Sequence, residues 1–160
     1  MQSVEQVVNF LTKYRLKLST AESCTAGLIG ALVADIPGSG AVLDSGFVVY
    51  SPEAKHRSLG GSFETIERFG LSSEEVAREM AVGALKMSQA DIALANTGLA
   101  EADGPMDGVQ CFACAIRLQD HEGVISETMQ FEGDRNEVRL AAARYALLQL
   151  PYYYERLRSV

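Results

Sequence analysis

Apolar residues recur at every third or fourth position in several segments of the chain, the spacing that places them on one face of a helix. The first segment follows Ser3, which forms a capping-box pattern with Gln6 at a helix start. The last follows Asp134, and Pro151 is expected to stop or kink that helix. Four of the predicted helical segments are 4–14, 26–36, 52–59 and 63–69. A fifth helix is capped by Ser72 or Ser73, and its inward face carries Val76, Met80, Gly83, Ala84 and Met87. The inward face of the last helix carries Val138, Ala141, Ala142, Tyr145 and Leu148.

Short apolar runs alternate with these helices and predict β-strands over residues 16–21, 42–50 and 91–96. Two further runs, 109–118 and 124–131, flank a polar segment and predict a hairpin. This order of elements predicts an α/β fold with a mixed sheet between two helix layers and a C-terminal hairpin. Functional residues on such folds usually follow the carboxyl ends of strands. The loops at Ser23, Tyr50 and Thr97 are therefore the places to look for a site.

Composition is that of a globular domain. Of the 160 residues, 48% are apolar and 22% are charged, so we expect one core and a single domain over residues 1–160. The formal charge of −7 argues against general nucleic-acid binding, because phosphate neutralisation needs a basic surface. No apolar run reaches the ~18 residues of a membrane span. Three cysteines and a polar start without a secretory signal predict a cytoplasmic protein with reduced thiols.

Ser23, Cys24 and Thr25 form the turn between the first predicted strand and the next helix. Backbone N–H groups at a helix start are unpaired and can hold an oxyanion or a phosphate. A hydroxyl in such a turn becomes a nucleophile when a base lies near it. The alternative is that Ser23 or Thr25 only caps the helix, since both residue types are common caps.

Tyr50 and Lys55 follow the second predicted strand and lie about one helical turn apart. A lysine in a desolvated pocket has a lowered pKa and can deprotonate a serine. The alternative is a solvated surface lysine beside a tyrosine that merely ends a strand.

Two further places offer contacts to a polar or anionic ligand. Thr97 and Gly98 follow the third strand, where they suit substrate contact and equally suit an ordinary turn. Arg135 and Arg139 lie at the start of the last helix, where cations oppose the helix dipole and an anionic ligand would explain them. The alternative is that both arginines are solvated and pair with Asp134 or Glu137.

The cysteine and histidine patterns predict no metal site. Cys111 and Cys114 have CxxC spacing, but they fall in a predicted strand, where residues three apart point to opposite faces. Thiol–disulfide chemistry there is a minor hypothesis. His56 and His121 are isolated from any zinc-binding motif.

Several short motifs occur in a fixed order along the chain. They are T-A-E-S-C-T-A-G at 20–27, G-F-V-V-Y-S at 46–51 with Glu53 and Lys55, M-A-V-G-A-L at 80–85, Thr97-Gly98, and F-E-G-D-R at 131–135 with Val138 and Arg139. In this order and spacing the chain resembles the CinA C-terminal domain family, which includes the nicotinamide mononucleotide (NMN) deamidases. The resemblance extends from about Val4 to Leu150.

The resemblance implies a three-layer α/β/α sandwich with a mixed, mainly parallel sheet. It also implies hydrolysis of NMN to nicotinate mononucleotide and ammonia without a cofactor. We further expect a homo-oligomer whose partner is a small nucleotide substrate rather than nucleic acid or a membrane. The site residues it implies are Ser23 as nucleophile, Lys55 and Tyr50 as its assistants, and Thr25, Thr97, Gly98, Arg135 and Arg139 as substrate contacts.

The loop over residues 97–108 departs from the family pattern. After Thr-Gly the family usually has Ile-Ala-Gly-Pro, whereas here the Gly-Pro pair is displaced to 104–105 and two carboxylates, Glu101 and Asp103, precede it. These carboxylates would repel an anionic mononucleotide if they face the pocket. The departure motivates a second hypothesis, a diverged binding or interaction domain that keeps the fold without the deamidase activity.

Overall fold

The computed structural model of the chain describes residues 3–159, in which a five-stranded sheet has helices on both faces. Within these residues no helix combines the length and the apolar character that a membrane crossing requires. The elements in chain order are α1 (Val4–Lys13), β1 (Leu18–Glu22), α2 (Leu28–Ala34), a 3-10 turn (Ser39–Ala41), β2 (Leu43–Val48), α3 (Pro52–Leu59), α4 (Phe63–Phe69), α5 (Glu74–Lys86), β3 (Ile92–Gly98), β4 (Val109–Leu118), β5 (His121–Gln130) and α6 (Arg135–Arg158).

The strand order in the sheet is β2-β1-β3-β4-β5. β1 pairs in parallel with both β2 and β3, and β4 pairs antiparallel with both β3 and β5. Four strands therefore run in one direction and only β4 is reversed, which confirms a mixed, mainly parallel sheet with a C-terminal hairpin. The carboxyl ends of β1, β2 and β3 meet at one edge, so the loops that follow these strands are neighbours.

Two apolar cores flank the sheet and confirm the three-layer sandwich. Residues on β3 alternate between them, because successive strand residues point to opposite faces. Ile92 and Leu94 face the core built by α1, α2 and α6, whereas Ala93 and Ala95 face the core built mainly by α5. β3 is buried along nearly its whole length, as expected for a strand covered on both faces.

The helix predicted over residues 26–36 is shorter in the structure, where α2 has seven residues. The backbone of Ala26 (φ 46°) and Gly27 (φ 97°) is left-handed, and two such residues cannot belong to a right-handed helix. The turn after β1 therefore extends from Ser23 to Gly27. The sequence suggested that N–H groups at the helix start could bind an oxyanion. In the structure the N–H groups near Ser23 belong to this turn and not to the helix.

Pro151 does not end the last helix, because α6 continues through it to Arg158. The part of the prediction that expected a stop at Pro151 is therefore wrong. Its final turns bury Tyr153, Tyr154 and Leu157. The Tyr154 ring lies 5.6 Å, centroid to centroid, from the Phe10 ring. Burial of this aromatic surface offsets the helical hydrogen bond that a proline removes.

Other element boundaries differ by a few residues. Ser73, and not Ser72, caps α5, and Met87 is exposed at its end instead of belonging to the buried stripe. β3 extends to Gly98, so Thr97 and Gly98 lie in the strand and not in the loop after it. β5 begins at His121, which shortens the predicted hairpin turn to two residues.

Candidate active site

Ser23 and Lys55, which are 32 positions apart in the chain, meet at the carboxyl edge of the sheet. Lys55 Nζ lies 3.1 Å from Ser23 Oγ, 3.0 Å from the carbonyl oxygen of Val49 and 3.1 Å from that of Tyr50. Ser51 caps α3 and Pro52 begins it, which fixes the helix that carries Lys55. The two side chains proposed from separate motifs thus lie within hydrogen-bonding distance.

Lys55 is buried to 1% exposure, and burial lowers its pKa to about 8. No carboxylate forms an ion pair with it among residues 3–159. Desolvation without a counter-charge favours the neutral amine. The protonated amine donates its three hydrogens to Ser23 Oγ and to the carbonyls of Val49 and Tyr50. In the neutral amine the two carbonyls still accept two hydrogens, and the lone pair can accept from the Ser23 hydroxyl. The lowered pKa brings the neutral, basic form of Lys55 within reach near pH 8, and in that form it can act as a base for Ser23.

Glu22 is a buried carboxylate beneath the Ser23 turn. It accepts hydrogen bonds from the Thr25 hydroxyl (2.7 Å) and from the backbone N–H groups of Ile29 (2.8 Å) and Gly30 (3.1 Å). The Thr25 hydroxyl is thus directed at Glu22 inside the protein, and its assignment as a substrate contact stays a prediction. Sequence reasoning missed this role of Glu22, although an acid at the end of a buried strand must find donors.

Asn96 and Gln110 are two further polar residues that sequence reasoning missed. Both are fully buried under the Ser23 turn, and Asn96 Nδ2 donates to Gln110 Oε1 over 2.9 Å. The signal in the sequence was a polar amide within each of two apolar strands. Such a residue needs a partner when it is buried, but the sequence does not say which one.

Tyr50 and Arg135 border the site on its solvent side. Arg135 Nη2 donates to the Tyr50 hydroxyl over 3.3 Å, and Arg135 Nη1 lies 3.3 Å from a carboxylate oxygen of Glu101. The Tyr50 side chain is half exposed, and its carbonyl oxygen rather than its phenol contacts Lys55. The catalytic role assigned to Tyr50 stays a prediction.

Arg139 is tied to the turn itself, because its Nε donates to the carbonyl oxygen of Cys24 over 2.9 Å. The expected alternative partners, Asp134 and Glu137, instead cap α6 by bonding each other's backbone N–H groups. Arg135 remains the more exposed of the two arginines.

Thr97 and Gly98 lie at the end of β3, beside the turn. The Thr97 hydroxyl donates to the carbonyl oxygen of Leu71 over 2.9 Å, and its side chain is nearly fully buried. Gly98 is paired with Gln110 in the sheet. Their assignment as substrate contacts stays a prediction.

Cys111 and Cys114 lie on opposite faces of β4, one in each core. Burial raises the pKa of both thiols, which keeps them protonated and unreactive. Both thiols are free and lie in separate cores, so they cannot pair with each other in a disulfide, which argues against thiol–disulfide chemistry at these two residues. Among residues 3–159 no group of three or more His, Cys, Asp or Glu side chains could hold a metal ion.

A serine beside a buried amine of lowered pKa can carry out acyl transfer on a carbonyl compound. The exposed guanidinium of Arg135 offers a second contact to an anionic ligand. The arrangement thus fits a small substrate that carries both a carbonyl group and an anionic group.

Known proteins are similar to this chain over most of its length. Residues 1–153 match the family described as the CinA C-terminal domain. The nicotinamide-nucleotide amidohydrolase PncC of Escherichia coli (strain K12) is 42% identical over 154 residues, which cover 94% of this chain and 92% of that protein. The crystal structure of the competence/damage inducible protein CihA from Agrobacterium tumefaciens superposes with a TM-score of 0.86 at 36% identity, covering 94% of this chain and 95% of that one.

Longer relatives also match. The CinA-like protein of Chlorobium phaeobacteroides (strain BS1) is 42% identical over 164 residues, which cover 98% of this chain but 38% of that protein. This chain spans 35% to 38% of the length of three such longer relatives.

Proposed function

Because the chain belongs to the CinA C-terminal domain family, we propose that it is an amidohydrolase that converts NMN to nicotinate mononucleotide and ammonia. The observation that carries the proposal is the 3.1 Å contact between Ser23 Oγ and the buried amine of Lys55. The name of the PncC relatives supports the choice of substrate.

In the proposed reaction Lys55 acts as base and Ser23 as nucleophile. The neutral amine of Lys55 takes the hydroxyl proton as Ser23 Oγ bonds to the carboxamide carbon, and the carbonyl oxygen becomes an oxyanion. When this intermediate collapses, the C–N bond breaks and ammonia leaves with the proton from Lys55. Water then adds to the acyl ester with Lys55 again as base, which releases nicotinate mononucleotide and restores the serine.

Arg135 is the better candidate of the two arginines for the substrate phosphate. Its side chain is 49% exposed, whereas the Nε of Arg139 is already bonded to the Cys24 carbonyl. A guanidinium that faces solvent can bind a phosphate in a bidentate manner. Tyr50 contacts Arg135 and has a half-exposed ring, which supports a role for it beside the bound substrate.

The proposal is tested by measuring ammonia and nicotinate mononucleotide formed from NMN by the purified protein. We expect equal amounts of the two products from the wild type and no measurable turnover from Ser23→Ala. Ser58→Ala, a serine on α3 outside the site, is the matched control and should retain wild-type activity. Turnover by Ser23→Ala at the wild-type rate would remove Ser23 as the nucleophile.

Glu101 favours the second hypothesis, a diverged binding domain, because its carboxylate already forms an ion pair with Arg135 and so competes with a substrate phosphate. The pair is roughly half exposed, however, and exposed ion pairs contribute about 0–1 kcal/mol. Competition of this size weakens phosphate binding by about fivefold at most. The ion pair is therefore compatible with turnover of an anionic mononucleotide.

We predict that Glu101→Gln lowers KM for NMN about two- to fivefold and leaves kcat unchanged, because it frees Arg135 for the phosphate. The effect should shrink as salt is added, since exposed charges are screened. Asp103→Asn is the matched control, because Asp103 is exposed and forms no ion pair among residues 3–159. An equal effect of both substitutions would show that net charge, and not the contact with Arg135, is responsible.

A further inference from the structure

Asn96 holds the backbone on both sides of Cys24. Its carbonyl oxygen accepts from the Ser23 N–H over 2.9 Å, and its side-chain Oδ1 accepts from the Thr25 N–H over 3.1 Å. The N–H of Cys24 itself donates to no acceptor among residues 3–159, although Cys24 is buried. Backbone N–H groups in folded proteins nearly always have a partner, so an N–H without an acceptor beside a nucleophile is available to a ligand atom.

The orientation of the Asn96 amide is fixed by Gln110. Thr25 N–H requires the oxygen of Asn96, so Asn96 Nδ2 must be directed at Gln110 Oε1, 2.9 Å away. Gln110 Nε2 in turn donates to Cys24 Sγ over 3.5 Å. Each amide thus offers its oxygen to one neighbour and its nitrogen to the next, and reversal of either would place two donors together.

Gly98 makes room for this chain of hydrogen bonds. It lies opposite Gln110 in the sheet, and a Cβ at position 98 would overlap the Gln110 amide. Gln110 is fully buried, so it contacts neither solvent nor a bound ligand. It can therefore act on the site only through Asn96 and Cys24.

We infer that Asn96 and Gln110 are positioning residues that set the Cys24 N–H as the hydrogen-bond donor to the oxyanion formed when Ser23 attacks a carbonyl carbon. Asn96 fixes the amides before and after Cys24, so of these three amides the middle one is left to bind a ligand atom. The donor next to a serine nucleophile is well placed for a developing oxyanion, and such donors act best when they are fixed beforehand. The inference deepens the proposed function, since it rests on Ser23 as the nucleophile.

A serine-directed phosphonofluoridate tests the role of the Cys24 N–H as oxyanion donor without the use of NMN. Ser23 Oγ bonds to phosphorus, fluoride leaves and Lys55 takes the hydroxyl proton, so the adduct resembles the tetrahedral intermediate. In a crystal structure of the wild-type adduct we expect a phosphonyl oxygen at about 3 Å from Cys24 N. A phosphonyl oxygen bound by other groups, with Cys24 N still unoccupied, would overturn the inference. A protein that forms the expected adduct but does not hydrolyse NMN would retain the inference and lose only the proposed substrate.

The second measurement is the rate at which Ser23 is phosphonylated. Gln110→Met removes both hydrogen bonds of the Gln110 amide, and we expect a rate about 10- to 100-fold slower, since loss of one fixed oxyanion donor costs about 100- to 1,000-fold. The apparent pKa of the reaction should stay near that of the wild type, because the contacts of Lys55 are untouched, whereas general loosening of the site would shift it. Gln119→Met, in the hairpin turn that follows β4, is the control of the same residue type and should react at the wild-type rate. An unchanged rate in folded Gln110→Met protein would contradict the role of Gln110.

Discussion

Lys55→Met is expected to lower kcat for carboxamide hydrolysis by at least about a thousandfold, because it removes the base that takes the Ser23 proton. Members of a nucleophile–base pair act as a unit, and loss of either one removes most of the chemical rate. Met has nearly the length of Lys and stays buried without a charge, so the cavity around position 55 remains filled. The measurement is steady-state ammonia release, followed together with the rate of Ser23 acylation.

Two further variants separate the base from the charge. Lys55→Arg should be as inactive as Lys55→Met, because a guanidinium stays protonated and cannot accept the hydroxyl proton. Lys86→Met, an exposed lysine in the last turn of α5, is the matched control and should keep wild-type kcat. A Lys55→Met protein within tenfold of the wild type would mean that another group deprotonates Ser23.

The pH dependence of turnover follows from the protonation state of Lys55. The base must be neutral, and burial lowers the pKa of Lys55 to about 8. Activity should therefore rise with pH up to about 8 and level off above it. An acid limb near pH 6 would instead indicate a histidine or a carboxylate as the base.

The alternation of helices and strands was sufficient to predict the layers, because hydrophobic periodicity decides which face of each element is buried. Most element types were correct for that reason. The helix predicted at 26–36 was too long because Ala26 adopts a left-handed backbone, which its sequence does not announce. Pro151 lies within α6 because tertiary packing of Tyr153 and Tyr154 outweighs a local preference.

The candidate site was predictable only where a side chain carries its own chemical signal. Ser23 and Lys55 are in short motifs, and the family resemblance joined them. Glu22, Asn96 and Gln110 depend on partners that are distant in sequence, such as the 86 positions between Cys24 and Gln110. A single sequence does not show which buried polar group will meet which other one, so these supporting contacts could be found only in the structure.

Lys55 should also leave a signature in protein stability. We predict that the free energy of unfolding of the wild type, relative to that of Lys55→Met, rises by about 3 kcal/mol between pH 8 and pH 10.5, at about 1.4 kcal/mol for each unit of pKa shift. The folded state holds the pKa of Lys55 near 8, whereas the ordinary value is 10.5. Between these two values the unfolded chain binds a proton that the folded protein has released. Stability must therefore increase with pH across this window, and below pH 8 the difference is constant because both states are protonated.

The comparison with Lys55→Met is essential, because other groups act in the opposite direction at high pH. Burial raises the pKa of Cys111 and Cys114, and raises that of Tyr145 to about 12. Each of these groups loses its proton first in the unfolded chain, so each lowers stability as pH rises above about 9 for the thiols and 10 for the phenol. Their contributions are the same in both proteins and cancel in the difference. Urea unfolding at pH 7, 8, 9 and 10 measures that difference directly. A flat difference would place the pKa of Lys55 at its ordinary value of 10.5, and the neutral amine that serves as the base for Ser23 would then form only at strongly alkaline pH.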